Sequence, residues 1–554
     1  MIVLVVAVLL ALLILPVAIT LVRSSLVVGE RLGRTGTFSF GAYEEILSSP
    51  ALPSLVLSTL AFALGSTFVG VALGGALAWC VERTDAPFKR LVYAGVFVSF
   101  AVPGILRTIG WIFLLGPRTG ALNELARVFA GPDAMLLDVF SLPAMILIEG
   151  VFWVPLVFLM LAANLGSMDP SLEEAAATAR ARPLTIIRRI TLPLALPSVI
   201  AVFLLAFIRS IQAFEVPLLL GVPARVPIFT TEVYLSVQGR MVPDYSFASA
   251  YGVLLLVFLV ACILLYGRAT RNASRFATIT GKGYRPRVAP LGRARPLAGA
   301  FILFVAALQF LPVLYLVFAS FLPTFGLGGA PWEHLTLRNY SVVLANRDIF
   351  ASLRNSALVG AVTATAVVAI AALTAWAMVR TKVRGRGMLD QVASLPLVFP
   401  GIVLGIAVLG LYIRSPIPVY GTIWILVLAY VIGYLPYGLR YVHPGLLRIH
   451  PELEESGRTA GAHWGAVFIR IVLPLLLPAL LAGWIFVFLI SVRELSVAAL
   501  LWSPRSPVIA TTMLDLWNNG NVNQVSAFGA IVALLSMGAA ALVAGVSRRW
   551  GIQV

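Results

Sequence analysis

The sequence predicts an all-α membrane protein of about twelve transmembrane helices, arranged as two parallel six-helix repeats in one fused chain. Three observations predict this fold. The 554 residues are 60% hydrophobic and 11% charged, whereas soluble domains carry about 25% charged residues. The apolar runs are about 20 residues long, the length of a membrane-spanning helix and not of a barrel strand. Finally, residues of the first half recur in the second half at fixed spacing.

Twelve apolar runs are the predicted membrane helices. They lie at residues 1–22, 54–80, 92–115, 141–166, 193–220 and 247–267, and then at 297–320, 352–379, 391–413, 421–447, 475–500 and 525–546. The first run is longer than the core of a signal peptide and has no charged leader, which favours a retained helix. We therefore expect a first repeat at 1–267 and a second repeat at 297–554, joined by a linker.

The linker, residues 268–296, sets the predicted orientation. It contains eight arginines and lysines and no acidic residue. Because short cytoplasmic loops are enriched in basic residues, the linker and both termini are predicted to be cytoplasmic. The net charge of +17 then reflects membrane topology, and no nucleic-acid partner is expected.

Paired residues relate the two repeats to each other. Trp79, Arg83 and Thr84 recur 297 residues later as Trp376, Arg380 and Thr381, and Pro103-Gly104 recurs as Pro400-Gly401. Each repeat has an even number of helices, so both repeats enter the membrane in the same orientation. They are therefore expected to form a pseudo-dimer about an axis along the membrane normal.

Each repeat carries one charged cytoplasmic loop after its fourth helix. The first signature loop occupies residues 169–193 and the second occupies residues 450–474. Glu174 precedes Pro193 by nineteen residues, and Glu455 precedes Pro474 by the same nineteen. Acidic residues near the start favour a helix N-terminus, and a break and a second, basic helix follow. Two short helices with a bend predict a knob that fits a partner's groove.

These signature loops resemble the EAA loop of binding-protein-dependent ABC importer permeases of the type I fold. The resemblance implies that each loop docks into an ATPase subunit. The implied coupling residues are Glu173, Glu174, Ala175, Ala176, Leu192 and Pro193 in the first loop, and Glu454, Glu455, Gly461, Leu473 and Pro474 in the second. Arg180 stands in the first loop where the family has a glycine. In the second loop Ser456 and Gly457 replace two alanines of the motif.

The resemblance also implies partners and a location. The sequence has no GxxxxGK[ST] phosphate loop, so ATP hydrolysis is expected on partner subunits and the chain is expected to be a permease, not an enzyme. The implied partners are two copies of an ABC ATPase, which hold ATP and Mg, and a periplasmic solute-binding protein. The chain itself is expected to bind no cofactor or metal and to lie in the lipid of a bacterial inner membrane. Alternating access is the implied transport mechanism.

Within this family, the whole chain resembles the fused ferric-iron permeases. The resemblance rests on residues 117–120 (PRTG), 214–217 (FEVP), 230–234 (TTEVY) and 493–496 (RELS). Permeases for thiamine, polyamines and phosphonates share the architecture, so these solutes stay open as alternatives. A secondary transporter is the distant alternative.

Several polar residues lie inside or beside the apolar runs, where exposure to lipid is costly. They are Glu149, Arg209, Gln212, Glu215, Tyr430, Tyr434, Arg493 and Glu494. Carboxylate and phenol oxygens suit a hard cation, so these residues are candidates for a translocation path. The alternative is that they pair internally and hold helices together.

Overall fold

The structure, a computed structural model, describes residues 2–28, 36–168, 171–270, 289–324, 331–381, 383, 385–413 and 415–549. In this part of the chain the secondary structure is helical, apart from one antiparallel pair of two-residue strands and one isolated bridge. The all-α prediction is therefore confirmed. Most of the predicted linker, residues 271–288, lies outside the described residues, as do residues 169–170 at the start of the first signature loop.

The described residues of the first half form twelve α-helices. They are α1 Ile2–Ser25, α2 Gly41–Ser48, α3 Leu52–Arg83, α4 Lys89–Ala101, α5 Gly104–Leu115, α6 Ala121–Ala130, α7 Leu142–Ser167, α8 Ser171–Thr178, α9 Pro183–Ile186, α10 Leu192–Ile211, α11 Phe229–Gln238 and α12 Tyr245–Thr270. Two π-helical segments, Ile187–Thr191 and Pro217–Gly221, lie before and after α10. The strands are β1 Val27–Val28 and β2 Thr37–Phe38.

The second half also contains twelve described α-helices. They are α13 Arg295–Ala319, α14 Arg338–Ala345, α15 Arg347–Arg380, α16 Arg386–Ser394, α17 Gly401–Tyr412, α18 Ile423–Leu447, α19 Pro451–Thr459, α20 Trp464–Val467, α21 Leu473–Val492, α22 Ala498–Leu501, α23 Ile509–Asn518 and α24 Val522–Arg549. A π-helical segment, Phe468–Val472, joins α20 to α21. Short 3₁₀ turns lie at Gly292–Ala294, Pro331–His334 and Leu395–Val398.

Ten of the described helices are long and apolar enough to cross a membrane, and two bent helix pairs bring the number to twelve if each pair is one span. The predicted number of about twelve is confirmed on this basis. The bent pairs correct two predictions, however, because the expected continuous helices at 92–115 and 391–413 are each broken. The bend is 111° between α4 and α5, and 103° between α16, with its 3₁₀ turn, and α17.

Proline causes both breaks. Pro103 and Pro400 have extended backbones, with ψ of 142° and 144°. Proline has no N–H to donate to the preceding turn, and it forces the residue before it out of the helical region. Val102 and Phe399 are accordingly extended as well. A new helix starts after each proline, at Gly104 and Gly401.

The predicted helices at 193–220 and 475–500 also end earlier than expected. α10 ends at Ile211 and α21 ends at Val492. After α21, the Glu494 carboxylate accepts the backbone N–H of Val497 at 3.1 Å, which replaces helix continuation by a local side-chain bond. After α10, the chain turns and resumes in the π-helical segment that begins at Pro217.

The described chain divides into two compact units. One unit comprises residues 1–49, 232–256 and 336–554. In it α15 packs along α18 and α21, and α1 packs against α16 and α17. α1, the first helix in sequence, therefore lies among helices of the second repeat. For this reason we call this unit the C-unit.

The other unit, which we call the N-unit, comprises residues 50–231 and 257–335. In it α3 packs along α7 and α10, and α13 packs against α4 and α5. Gln309 on α13 is buried, accepts a hydrogen bond from Ser99 at 2.5 Å and donates one to the Val151 carbonyl at 2.9 Å. These bonds fix α13, the first helix of the second repeat, among helices of the first. The sequence repeats and the compact units thus differ in their first helices, and also in residues 232–256, which lie in the first repeat by sequence and in the C-unit by packing.

Candidate functional site

The signature loops have the same backbone in both units. In the first loop α8 ends before Arg180, which has a left-handed conformation with φ of +59°. In the second loop α19 ends before Gly461, with φ of +86°. The next N–H then reaches back five residues, from Ala181 to Ala176 at 3.0 Å and from Ala462 to Gly457 at 3.1 Å. This is the hydrogen bond of a Schellman helix end, so Arg180 adopts the geometry for which the family uses glycine.

The second part of each loop leads directly into a membrane helix. A five-residue π-helical segment precedes α10 and α21 in matching register. Pro193 and Pro474 at the start of these helices lack the N–H that would bond the carbonyl four residues back. The N–H of Leu192 instead donates to the Ile187 carbonyl, five residues back. Each signature loop therefore continues without a break into the helix that follows.

In the Glu-Glu pair of each signature loop (Glu173-Glu174 and Glu454-Glu455), the first glutamate contacts an arginine of its own unit. In the N-unit Glu173 accepts a hydrogen bond from Thr191 at 2.7 Å and lies 3.5 Å from an Arg83 nitrogen. In the C-unit Glu454 lies 2.6 Å from Nε of Arg380. Both arginines are the last residues of long membrane helices. The sequence identified them as repeat markers and missed these contacts.

The second glutamate of the pair differs in exposure between the loops. Glu455 is exposed beside the buried Glu454, whereas Glu173 and Glu174 are both half-buried. Of the other predicted coupling residues, Ala175, Arg180, Leu192, Pro193, Gly461 and Pro474 are exposed, and Ala176 and Leu473 are half-buried. Each loop thus offers a partner a surface that includes at least part of its second glutamate.

Two predicted path residues lie together in the N-unit. The Glu215 carboxylate contacts Gly104, the first residue of α5, so closely that a methyl group there would overlap it. Glu149 on α7 is buried, with 5% of its surface exposed, and it interacts electrostatically with Glu215 and Arg107. The Arg107 guanidinium stacks over the Phe152 ring at 3.9 Å. Two carboxylates and one arginine therefore meet beside the Pro103-Gly104 break.

The remaining predicted residues of the N-unit lie at the end of α10. An Arg209 nitrogen donates to the Gln212 side-chain oxygen at 3.2 Å. Both residues therefore share the helix face that their spacing indicates.

The C-unit has a corresponding carboxylate at its own break. Glu494 lies against Gly401, the first residue of α17, and accepts a hydrogen bond from Tyr434 at 2.6 Å. The Tyr430 hydroxyl donates to the Glu494 backbone carbonyl at 3.4 Å. The rings of Tyr430 and Tyr434 are 5.6 Å apart. Arg493 directly follows Val492, the last residue of α21.

Each unit thus brings one carboxylate to the N-terminus of the helix that follows a Pro-Gly break. A helix N-terminus favours negative charge because its first N–H groups are unpaired. In the described part of the chain no group of three or more His, Cys, Asp and Glu residues could hold a metal ion. The geometry suits a polar passage or an internal anchor.

Comparison with known proteins gives one family and several relatives. Residues 51–275 and 367–551, well over half of the chain, match the family described as "Binding-protein-dependent transport system inner membrane component". The ferric transport system permease protein FbpB of Actinobacillus pleuropneumoniae is 26% identical over 484 residues, which cover 85% of this chain and 68% of the relative. The putative ferric transport system permease protein FbpB 1 of Haemophilus influenzae is 28% identical over 445 residues, covering 78% and 68%.

A third relative is shorter. The spermidine/putrescine transport system permease protein PotC of Escherichia coli is 25% identical over 244 residues, which cover 44% of this chain and 90% of PotC. The chain is therefore similar to permeases named for two different cationic solutes.

Proposed function

This chain belongs to the family of binding-protein-dependent transport system inner membrane components, and we propose that it carries ferric iron across the bacterial inner membrane. Membership makes it an ABC importer permease of the fused, two-repeat kind. We further propose that it works with two ATPase subunits and with a periplasmic binding protein that delivers the iron. Both termini would lie in the cytoplasm.

The main support is the pair of signature loops. Each unit carries one loop with the same helix end and the same π-helical segment before the membrane helix. Two matching surfaces favour two copies of one partner. The sequence contains no phosphate loop of its own, which favours ATP hydrolysis by that partner.

Iron is supported by two observations. Two of the relatives that cover most of this chain are named for ferric transport. The passage candidates are also rich in carboxylate and phenol oxygens, which are ligands for hard cations. Within the N-unit, Glu149 and Glu215 would serve as path residues, with Arg209 and Gln212 beside them. Within the C-unit, Glu494, Tyr430 and Tyr434 would serve as path residues, with Arg493 beside them.

A polyamine is the second candidate. The similarity to PotC covers nearly the whole of that relative, and the same carboxylates and aromatic rings suit an organic cation.

Both solutes fit one transport mechanism. ATP binding would close the two ATPase subunits, the signature loops would move with them, and the helix bundles would alternate between inward- and outward-open forms.

The proposal is tested with the ATPase and the binding protein encoded beside this gene. The complex is reconstituted in proteoliposomes, and ATP-dependent uptake of radiolabelled ferric iron is compared with uptake of spermidine. Iron uptake that needs all three components supports the proposal, and spermidine uptake alone would replace iron by a polyamine. ATP-independent uptake driven by an ion gradient would contradict the importer assignment.

The path residues are tested in the same system with Glu149→Gln and Glu215→Gln. Both variants should lower uptake at least about tenfold while the ATPase still copurifies with the chain, because a neutral side chain removes an oxygen ligand for the cation. Unchanged uptake in both variants would leave internal pairing as the role of these residues.

A further inference from the structure

The first glutamate of each Glu-Glu pair contacts an arginine at the end of a membrane helix. In the second loop its neighbour, Glu455, is exposed. Arg380, the last residue of α15, contacts Glu454 at 2.6 Å and donates to the backbone carbonyl of Ile449 at 2.7 Å. Ile449 lies just beyond α18. One guanidinium therefore joins the ends of two membrane helices to the short helix α19 of the second signature loop.

The N-unit contains the same arrangement. Arg83, the last residue of α3, lies 3.5 Å from Glu173 and donates to the Met168 carbonyl at 3.3 Å. Met168 is the residue that ends α7. Glu173 in turn accepts the hydrogen bond from Thr191, in the π-helical segment before α10. The ends of α3 and α7 and the start of α10 are thus connected through the first signature loop.

The contact in the C-unit is sheltered from water, with Glu454 7% exposed. In the N-unit Arg83 is 3% exposed, whereas the Glu173 side chain keeps 20% of its surface exposed. In a site of low dielectric a charge pair is strongly coupled, because solvent screens it little. A displacement of the loop would therefore act on the bound arginine, in addition to the helices that the loop joins through its backbone.

The helices that end at these arginines are suited to carry such a displacement. α3 has 32 residues and α15 has 34, so each is about 50 Å long at 1.5 Å per residue. They pack along α7 and α10 in one unit, and along α18 and α21 in the other. Movement at the cytoplasmic end of either helix is therefore communicated along its whole bundle.

We propose that Glu173 and Glu454 are positioning residues that bind Arg83 and Arg380 and so transmit the movement of each signature loop to α3 and α15. Glu174 and Glu455 remain available for the ATPase. This inference rests on the proposed function, and it assigns the two neighbouring acids of each loop to different tasks: one holds the permease and the other meets the partner.

The test uses the full complex in proteoliposomes and measures three quantities: copurified ATPase, ATP hydrolysis, and solute transported per ATP. Glu454→Gln keeps the shape of the side chain and removes its charge, and Glu455→Gln is the matched control on the accessible neighbour. We expect Glu454→Gln to copurify ATPase normally but to transport about fivefold less solute per ATP. Glu455→Gln should instead reduce copurification.

Additional variants distinguish the loss of a glutamate contact from a failure of the chain to fold. If Glu454→Gln is not recovered as a monodisperse complex, Thr191→Val in the first loop takes its place, because it removes only the bond to Glu173. It should lower the transport-to-ATP ratio as well. Arg380→Lys keeps the charge at that position and should retain more of the ratio than Arg380→Gln.

Two results would overturn the inference. One is a Glu454→Gln complex that transports with the wild-type ratio. The other is a Glu454→Gln complex that loses its ATPase as Glu455→Gln does, since the first acid would then be a partner contact. A wild-type chain that copurifies no ATPase would instead contradict the proposed function.

Discussion

The two signature loops share a backbone, but their links to the membrane helices differ in quality. In the C-unit the Arg380 guanidinium has a close carboxylate and a close backbone carbonyl. In the N-unit the nearest Glu173 oxygen is 3.5 Å from Arg83, and Nε and Nη1 of Arg83 make no hydrogen bond to any described residue. A buried charge is stabilising only when its partners are well placed. The arginine–glutamate link of the N-unit is therefore weaker than that of the C-unit.

Removal of each arginine should give the largest difference between the loops. Arg380→Met leaves the buried Glu454 carboxylate without its cation and should destabilise the C-unit by about 3 kcal/mol. Arg83→Met removes a guanidinium that is already poorly bonded, and Glu173 keeps Thr191 and some solvent, so its cost should stay below about 1 kcal/mol. Thermal unfolding of both variants in one detergent measures the difference. Equal losses would mean that the two links are equivalent.

A second comparison concerns the Pro-Gly breaks. A methyl group on Gly104 would overlap the Glu215 carboxylate, whereas on Gly401 it would meet Ser496 Cβ at 2.8 Å and Glu494 at 3.3 Å. Both alanine variants should cost about 1–3 kcal/mol by overpacking. We expect Gly104→Ala to lose more transport, since it must displace a carboxylate of the proposed path.

Uptake in proteoliposomes and thermal unfolding are measured on the same preparations of these variants. Gly267→Ala is the matched control, because that glycine lies on α12 with open space where the methyl group would go. If Gly401→Ala and Gly104→Ala lose the same amount of uptake at equal stability, Glu494 and Glu215 contribute equally to transport.

Much of this architecture follows from the sequence. The lengths of the apolar runs predict the spanning helices, and the equal spacing of nineteen residues predicts two matching loops. The two bends could also have been predicted from the sequence. Pro103-Gly104 and Pro400-Gly401 mark them, although continuous helices were predicted there.

The packing of α1 and α13 could not be predicted. A helix that is apolar on every side does not specify its neighbours, and in α13 the buried polar contacts of Gln309 add specificity that the apolar pattern does not show. The partners of Arg83 and Arg380 were hidden for a related reason. Basic residues at the ends of membrane helices are expected from topology, so nothing in their pattern distinguished an ion pair from a solvated charge.

The last prediction, with the smallest expected effect, compares the free-energy cost of the left-handed backbone conformation in the two loops. A left-handed conformation costs a residue with a side chain about 1 kcal/mol relative to glycine, and Arg180 adopts it where Gly461 does so freely. The Schellman bond of Ala181 should therefore open more often than that of Ala462. Arg180→Gly should slow hydrogen exchange at Ala181 about fivefold, and Gly461→Arg should speed it at Ala462 by a similar factor. Hydrogen exchange is measured on the full chain in nanodiscs, and peptides produced by digestion report on each loop. One sample of each variant therefore gives the exchange rates of both loops. A first loop that already exchanges as slowly as the second would mean that other contacts of Arg180 offset its backbone strain, and the difference between the loops would then be confined to their arginine links.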